Sequence, residues 1–316
     1  MSMSADSASN QAIGSLTLGQ LAQTAVDDVL ALIDEGETRL PTPQDLYYRW
    51  ERQQWRAQDV DFAVDKAQFG EFATPETRHF RLAGLSAFFV GEISVTDTFA
   101  PLCIAMPGES ERLFMATQLV DEARHVVFFE RFFREVVLLP GERLEDLAAA
   151  ARPFVRPATA TMLLEVLPEA TTRVQREPEN LEALVEAVTV YHVLVEGAMA
   201  LAGQRGILNT YRQMGILPGF RAGFTAVARD ESRHVLFGVG FLRKMAQQDA
   251  RYGQIVEATV RRHAPTVWQA LGIHPDALPM VLANGGNPHE TQEFAFHSLR
   301  KKLKVMGLST DLPAVA

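Results

Sequence analysis

Two heptapeptides decide how this chain is read: Val120-Asp121-Glu122-Ala123-Arg124-His125-Val126 and Arg229-Asp230-Glu231-Ser232-Arg233-His234-Val235. Both carry Asp-Glu-x-Arg-His. On an α-helix, Glu and His three residues apart leave the same face and can converge on one ion. Working outward, each is preceded by a segment with a single carboxylate in apolar surroundings. These are Glu92 in Phe88-Phe89-Val90-Gly91-Glu92-Ile93-Ser94-Val95 and Glu196 in Tyr191-His192-Val193-Leu194-Val195-Glu196-Gly197-Ala198. The order along the chain is therefore Glu, Glu-x-x-His, Glu, Glu-x-x-His. Thirty residues separate Glu92 from Glu122 and 35 separate Glu196 from Glu231, in each case one long helix plus a turn.

Buried together without a cation, four carboxylates repel one another and take up protons; with two divalent ions their charge is balanced. The residues predicted to hold a dinuclear metal centre are thus Glu92, Glu122, His125, Glu196, Glu231 and His234. A lone Glu-x-x-His carries little weight, since a third one, Glu76-Thr77-Arg78-His79, also occurs. It follows Pro75 and reads as a solvated helix start, where an acidic first turn suits the helix dipole. The repeated pentapeptide, with Glu92 and Glu196 at matching places, is harder to ascribe to chance.

The rest of the sequence bounds the alternatives. The 316 residues are 47 % hydrophobic and 22 % charged, ordinary for a folded chain. A net charge of −9 disfavours nucleic acid as a partner. One cysteine, Cys103, excludes intramolecular disulfides and thiolate metal sites, so any metal rests on oxygen and imidazole. The start of the chain lacks the basic and apolar regions of a signal peptide, and the apolar stretch from Val188 to Ala202 is interrupted by His192 and Glu196; the expectation is a cytoplasmic protein with no membrane span.

Apolar residues recur at three- and four-residue steps between clusters of Pro and Gly, and strand-like alternation is scarce. Helices are predicted over 42–56, 76–100, 109–138, 142–150, 157–175, 180–205, 217–248, 250–270 and 288–306. The fold class is all-α. The four spans that carry the motifs each reach about 30 Å or more and suggest a four-helix bundle core with additional packed helices. Residues 1–14 read as a disordered N-terminal segment, 15–307 as a single domain and 308–316 as a loose C-terminal tail.

With these residues in hand, the chain resembles the ferritin-like superfamily, in particular the ribonucleotide reductase small subunit and, more closely, its ligand-binding oxidase relatives. The resemblance rests on Gly91-Glu92-x-x-Val95-Thr96, on Tyr191-x-x-x-Val195-Glu196-Gly197, on Ile216-Leu217-Pro218-Gly219 with the following Asp-Glu-x-Arg-His, and on Gln54-Trp55 through Asp59, Asp61 and Asp65. It implies a ferritin-like fold, a manganese/iron or di-iron centre, dioxygen as oxidant, and a long-chain, fatty-acid-like hydrophobic ligand. It also implies a homodimer, an external electron donor, and an ether cross-link between Tyr191 and Val95. Trp55, Asp230 and His125 match the electron-entry trio of that family. Val95 lies three residues after Glu92 on one helical face, whereas Tyr191 is five before Glu196; both also read as plain core residues. Phe88, Phe89, Val126, Phe129 and Val193 are expected to keep water from the centre and leave room for a hydrocarbon. Phe129 stands where the resemblance places the radical Tyr of a reductase subunit, and Met306–Ala316 lacks a Tyr for docking on a large subunit. The function expected is C–H oxidation of a hydrophobic ligand. A radical-generating reductase subunit, a desaturase- or N-oxygenase-like enzyme and a storage bundle are the alternatives.

Overall fold

A computed structural model describes residues 13–283 and 286–313. Of the segment expected to be disordered, residues 1–12 lie outside the description, as do 314–316 of the tail. The principal helices are α1 (Val26–Thr38), α2 (Pro43–Arg52), α3 (Ala63–Phe72), α4 (Arg78–Thr98), α5 (Glu109–Phe132), α6 (residues 157–176), α7 (Leu181–Met214), α8 (Pro218–Gln248), α9 (Ala250–Leu271) and α10 (Glu290–Met306). No strand occurs among the described residues.

The four long helices α4, α5, α7 and α8 form the bundle. α4 packs along α5 and the middle of α7 along α8, while α1, α2, α9 and α10 cover the outside. Residues 222–239 of α8 are all buried. A helix enclosed on every side needs close neighbours, and two glycines admit them. A Cβ on Gly223 would lie 2.2 Å from the Phe128 ring and one on Gly238 would lie 2.2 Å from His192 Cβ. The N-terminus of α8 is capped from a distance: Gly219 and Phe220 donate their N–H groups to Asp65 Oδ2 and Oδ1 at 2.9 and 2.7 Å. This gives Asp65 a structural place, satisfying amides that the helix itself leaves free.

The helix expected over 180–205 continues to Met214, and its middle, Thr189–Ala200, is π-helical. The span 157–175 likewise contains a π-helical turn, Met162–Val166. α1 and α3 fall where no helix was expected. The missed signal in α1 is plain, since Val26, Val29, Leu30 and Ile33 form a buried stripe. α3 buries Asp65, Phe69 and Phe72, a face too mixed to read from apolar periodicity. By length and composition α7 could cross a membrane, but 89 % of its most apolar window is buried inside the bundle. Residues 308–313 have no regular structure; Leu308 and Leu312 rest against the core, and Ser309 N–H donates to Glu257 Oε1 at 2.8 Å.

Candidate metal centre

Six side chains from the four bundle helices meet in the core, all of them buried. α4 supplies Glu92, α5 supplies Glu122 and His125, α7 supplies Glu196, and α8 supplies Glu231 and His234. His125 Nδ1 lies 3.4 Å from Glu92 Oε2, 3.4 Å from Glu122 Oε2 and 3.7 Å from Glu231 Oε1. His234 Nδ1 lies 3.2 Å from Glu122 Oε1, 3.3 Å from Glu231 Oε2 and 3.5 Å from Glu196 Oε1. Ligand atoms of Glu92, Glu122, His125 and Glu231 all fall within 4.8 Å of one another, and so do those of Glu122, Glu196, Glu231 and His234. Glu122 and Glu231 belong to both groups. The arrangement would suit two neighbouring cations, with Glu122 and Glu231 within reach of both.

The cluster is poorly satisfied on its own. His125 Nδ1 and Glu196 Oε2 are buried and make no hydrogen bond, a state that costs about 1–3 kcal/mol per group. Burial pushes Glu196 up to about 8, with Glu231 adding to the effect, and burial raises Glu92 and Glu231 to about 7. Glu122 is held down to about 2 despite burial, because His234, His125 and the Tyr191 hydroxyl all face it. Burial opposes charge on both imidazoles, yet the carboxylates raise them well above their ordinary range. Without cations the cluster therefore holds protons that cations would displace. Two imidazole nitrogens and four hard carboxylates fit borderline-to-hard divalent ions.

Behind each imidazole stands an aspartate from the opposite motif. His125 Nε2 is 3.4 Å from Asp230 Oδ2, and Trp55 Nε1 donates to the same oxygen at 2.7 Å. The trio picked from the sequence is thus assembled, and Asp230 is a buried acceptor, not a charge on the helix surface. The structure adds a mirror image that sequence reasoning missed. His234 Nε2 is 3.2 Å from Asp121 Oδ2, and Trp50 Nε1 donates to Asp121 Oδ1 at 2.9 Å. Arg233 ties the halves together, donating to Asp121 Oδ2 at 2.7 Å and to Asp230 Oδ1 at 2.8 Å, and also to Gln53 Oε1. The repeat of Asp and Arg within both pentapeptides was the available signal. Such outer partners fix the ring orientation of metal-binding histidines.

Tyr191 reaches the centre: its hydroxyl donates to Glu122 Oε1 at 2.7 Å. Gln118, also missed, donates to Tyr191 Oη and Glu196 Oε1, both at 3.0 Å. His192, left unplaced by the sequence, sits behind Gln118 with Nε2 3.1 Å from its Oε1. Burial, reinforced by His234, lowers His192 to about 3, so it is the neutral ring that donates to the amide oxygen. Glu76 and His79 are exposed at the start of α4 and join neither group, in accord with a solvated helix start.

The cluster opens onto a cavity of about 460 Å³ whose wall includes Glu92, Glu122, Glu196, Glu231 and Val95. Of the five residues expected to shape this space, only Phe88 lines it. Phe89, Val126, Phe129 and Val193 are packed into the core instead. Space arises where side chains are absent, because Gly84, Ala87 and Gly91 of α4 face Ala200, Gly203 and Gly206 of α7 across it.

An all-α bundle enclosing four carboxylates and two imidazoles defines the class of ferritin-like dinuclear-metal carboxylate proteins. Residues 37–264 match the family model "Ribonucleotide reductase, small chain", and the chain belongs to that family. Among solved structures it is similar to variants of an R2-like ligand-binding oxidase. One carries an anaerobically and another an aerobically reconstituted Mn/Fe cofactor. Each is 24 % identical, with a TM-score of 0.72, over 85 % of this chain and 94 % of the other.

Proposed function

We propose that this chain is a dioxygen-activating dinuclear metal oxidase or oxygenase acting on a C–H bond of a hydrophobic, fatty-acid-like ligand. The observation that carries the reading is the buried carboxylate–imidazole cluster opening directly onto an apolar cavity large enough for a hydrocarbon chain. In this reading Glu92, Glu122, His125 and Glu231 would hold one ion, and Glu122, Glu196, Glu231 and His234 the other. The pair is manganese/iron or di-iron, and when bound it supplies the redox chemistry that reduces dioxygen.

The chain's own groups supply the rest. Asp230 and Asp121 keep the imidazoles oriented. Trp55, hydrogen-bonded to Asp230, offers a route for an electron from an external donor. Tyr191 donates a hydrogen bond from its phenol to Glu122, beside the wall that carries Val95. In the ether-forming reaction the Tyr191 O–H and the Val95 Cβ–H bonds break, an O–C bond forms, and two electrons and two protons pass to dioxygen. The acting unit is proposed to be a homodimer.

The test is aerobic loading of the purified protein with manganese and iron, then metal counting and mass spectrometry of a tryptic digest. The reading expects two ions per chain and a loss of two hydrogens in a species joining the Tyr191 and Val95 peptides. Fewer than two ions would sink the centre, and two ions without the joined peptide would sink the cross-link alone. The family itself favours a second reading, a reductase small subunit. Phe129 is fully buried where the resemblance places the radical Tyr, a replacement also found in the manganese/iron variety of that subunit; nucleotide reduction on addition of a large subunit would establish this second reading.

A further inference from the structure

The mirror relation around the two imidazoles extends to the surface on one side only. Trp50, which donates to Asp121 at 2.9 Å, sits on α2, where the residue three positions earlier is its neighbour on the same face. That residue is the half-buried Tyr47, whose ring centre lies 6.0 Å from that of Trp50. Tyr47 in turn meets Tyr48 edge to face, with ring centres 6.1 Å apart. Tyr48 is 45 % exposed, and Gln44 Nε2 donates to its hydroxyl oxygen at 2.8 Å, which steadies the ring and leaves the O–H free to donate to water. Three aromatic rings thus run from solvent to Asp121, whose other oxygen is 3.2 Å from His234 Nε2.

Indoles and phenols give up a single electron more readily than other uncharged ring side chains, so rings of these two kinds in contact can pass an electron between them. The chain has three tryptophans and five tyrosines, yet among the described residues Tyr47 and Trp50 make the one contact between the two kinds. The ring neighbours of Trp55 are His125 and Phe128, and those of Trp268 are His289 and Phe296. None of these hands an electron on. Charge adds a second difference. Trp50 and Trp55 both donate their N–H to a carboxylate, which favours the positive charge of an oxidised indole. Over Trp55, however, the Arg124 guanidinium lies 5.5 Å from the ring centre and opposes that charge, whereas no cation lies over Trp50 among the described residues.

We propose that Tyr48, Tyr47 and Trp50 form a one-electron path between the protein surface and the His234 side of the carboxylate cluster. When Trp50 loses an electron, Tyr47 and then Tyr48 replace it; the electron moves inward and the Tyr48 O–H proton goes to water. A hydrogen-atom donor outside the protein, of the thiol or ascorbate class, restores the Tyr48 O–H and is itself oxidised by one electron. No bond of the chain is changed over the cycle, and in the proposed oxidase the electron and the proton released to water both end on dioxygen. The path through the rings stands without the oxidase reading; its use by the centre rests on that reading.

The test begins with the metal-free full chain. Pulse radiolysis in azide solution makes azide radicals, which take an electron from accessible indoles. In the wild type, the decay of indolyl absorption and the growth of tyrosyl absorption should share one first-order rate that does not depend on protein concentration. Trp50→Phe should lose this phase. So should the double variant Tyr47→Phe with Tyr48→Phe, which keeps Trp50 and its bond to Asp121, while Trp55→Phe and Trp268→Phe should retain it. A wild type without the phase, or the phase persisting in Trp50→Phe or in the double variant, overturns the path. The link to the centre is read on the chain loaded with manganese and iron and exposed to dioxygen in the presence of a nitroso spin trap, with the labelled peptides mapped by mass spectrometry. The trap should label Tyr48 in the wild type and not in Trp50→Phe. With two ions bound, label on Tyr48 in both proteins or in neither overturns the link. Fewer than two ions per chain sinks the oxidase reading instead, and the radiolysis still decides the path.

Discussion

Replacing Asp121 by Asn tests the two-fold logic of the centre. Asp121 accepts from three donors, Arg233 at 2.7 Å, Trp50 at 2.9 Å and His234 at 3.2 Å, and forms an ion pair with Arg124 at 3.2 Å. An amide keeps one acceptor oxygen and turns a donor toward cations and N–H groups that have nowhere else to go. Breaking a buried charge pair outright costs about 3–5 kcal/mol. Arg233 retains Asp230 at 2.8 Å, so roughly half of that, ~2 kcal/mol, is expected in stability. The effect on metal is local. His234 loses the acceptor that fixes its ring, and loss of such a partner lowers affinity about 10- to 100-fold, or roughly 1.4–2.8 kcal/mol. Asp121→Asn should weaken the ion beside His234 and Glu196, whereas Asp230→Asn should weaken the ion beside His125 and Glu92. Chelator competition gives the two affinities, and anomalous scattering from crystals of each variant identifies the depleted position. If both variants deplete the same position, or neither changes affinity, the reciprocal pairing is wrong.

Three further outcomes follow from the same packing and charges. The metal-free protein should lose thermal stability as the pH rises from about 5 to 8. Glu92, Glu196 and Glu231, raised to about 7, 8 and 7, hold protons in the fold that the unfolded chain releases above about 4.5. The raised imidazoles act in the same direction above about 6.5. Metal loading should flatten this slope, and a metal-free melting temperature that climbs with pH over the window would refute it. Gly238→Ala should destabilise by about 1–3 kcal/mol through overpacking against His192, seen as an earlier denaturant midpoint; an unchanged midpoint would mean that α7 and α8 are not in contact there. Gln118→Leu should cost about 1–3 kcal/mol by orphaning His192 Nε2, whereas the compensated variant His192→Leu with Gln118→Leu should recover part of it. Equal stabilities of the single and double variants would rule the bond out.

What the sequence made legible is what periodicity and repetition encode. The two pentapeptides, with Glu92 and Glu196, bring six side chains to one place because each relies only on local helix geometry and on four long apolar segments packing together. The outer contacts were half visible. Trp55 and Asp230 were singled out, but Trp50 and Asp121 were not, although they repeat the same relation. Trp50 and Trp55 are five residues apart on the chain and reach different halves of the bundle, an outcome of how α2 and the turn after it lie across α5 and α8. The cavity was misread for a different reason. The sequence points to large apolar residues as its walls, whereas Phe89 and Phe129 fill the core and the space comes from glycine and alanine along the wall. An empty volume leaves no signature in the residues that are large.

The region least legible in the sequence is also the one closest to the chemistry. With 3.6 residues per turn, Tyr191 and Glu196 would lie about 140° apart, and only one of them could face the cluster. Thr189–Ala200 is π-helical, and its i→i+5 pattern brings residues five apart to the same side. Tyr191 Oη and Glu196 Oε1 can then both sit 3.0 Å from Gln118 Nε2. The widened turn also needs Gly197, where a Cβ would lie 2.7 Å from the His192 carbonyl oxygen and 2.9 Å from Lys302 Cε. Wide turns of this kind are uncommon because their backbone packing is inferior, and here the hydrogen bonds of Tyr191 and His192 offset that cost. The two polar residues that interrupt the most apolar stretch of the chain, His192 and Glu196, thus belong to one device. Glu196 faces the cluster, and His192 braces the amide that holds Glu196 and Tyr191 in register.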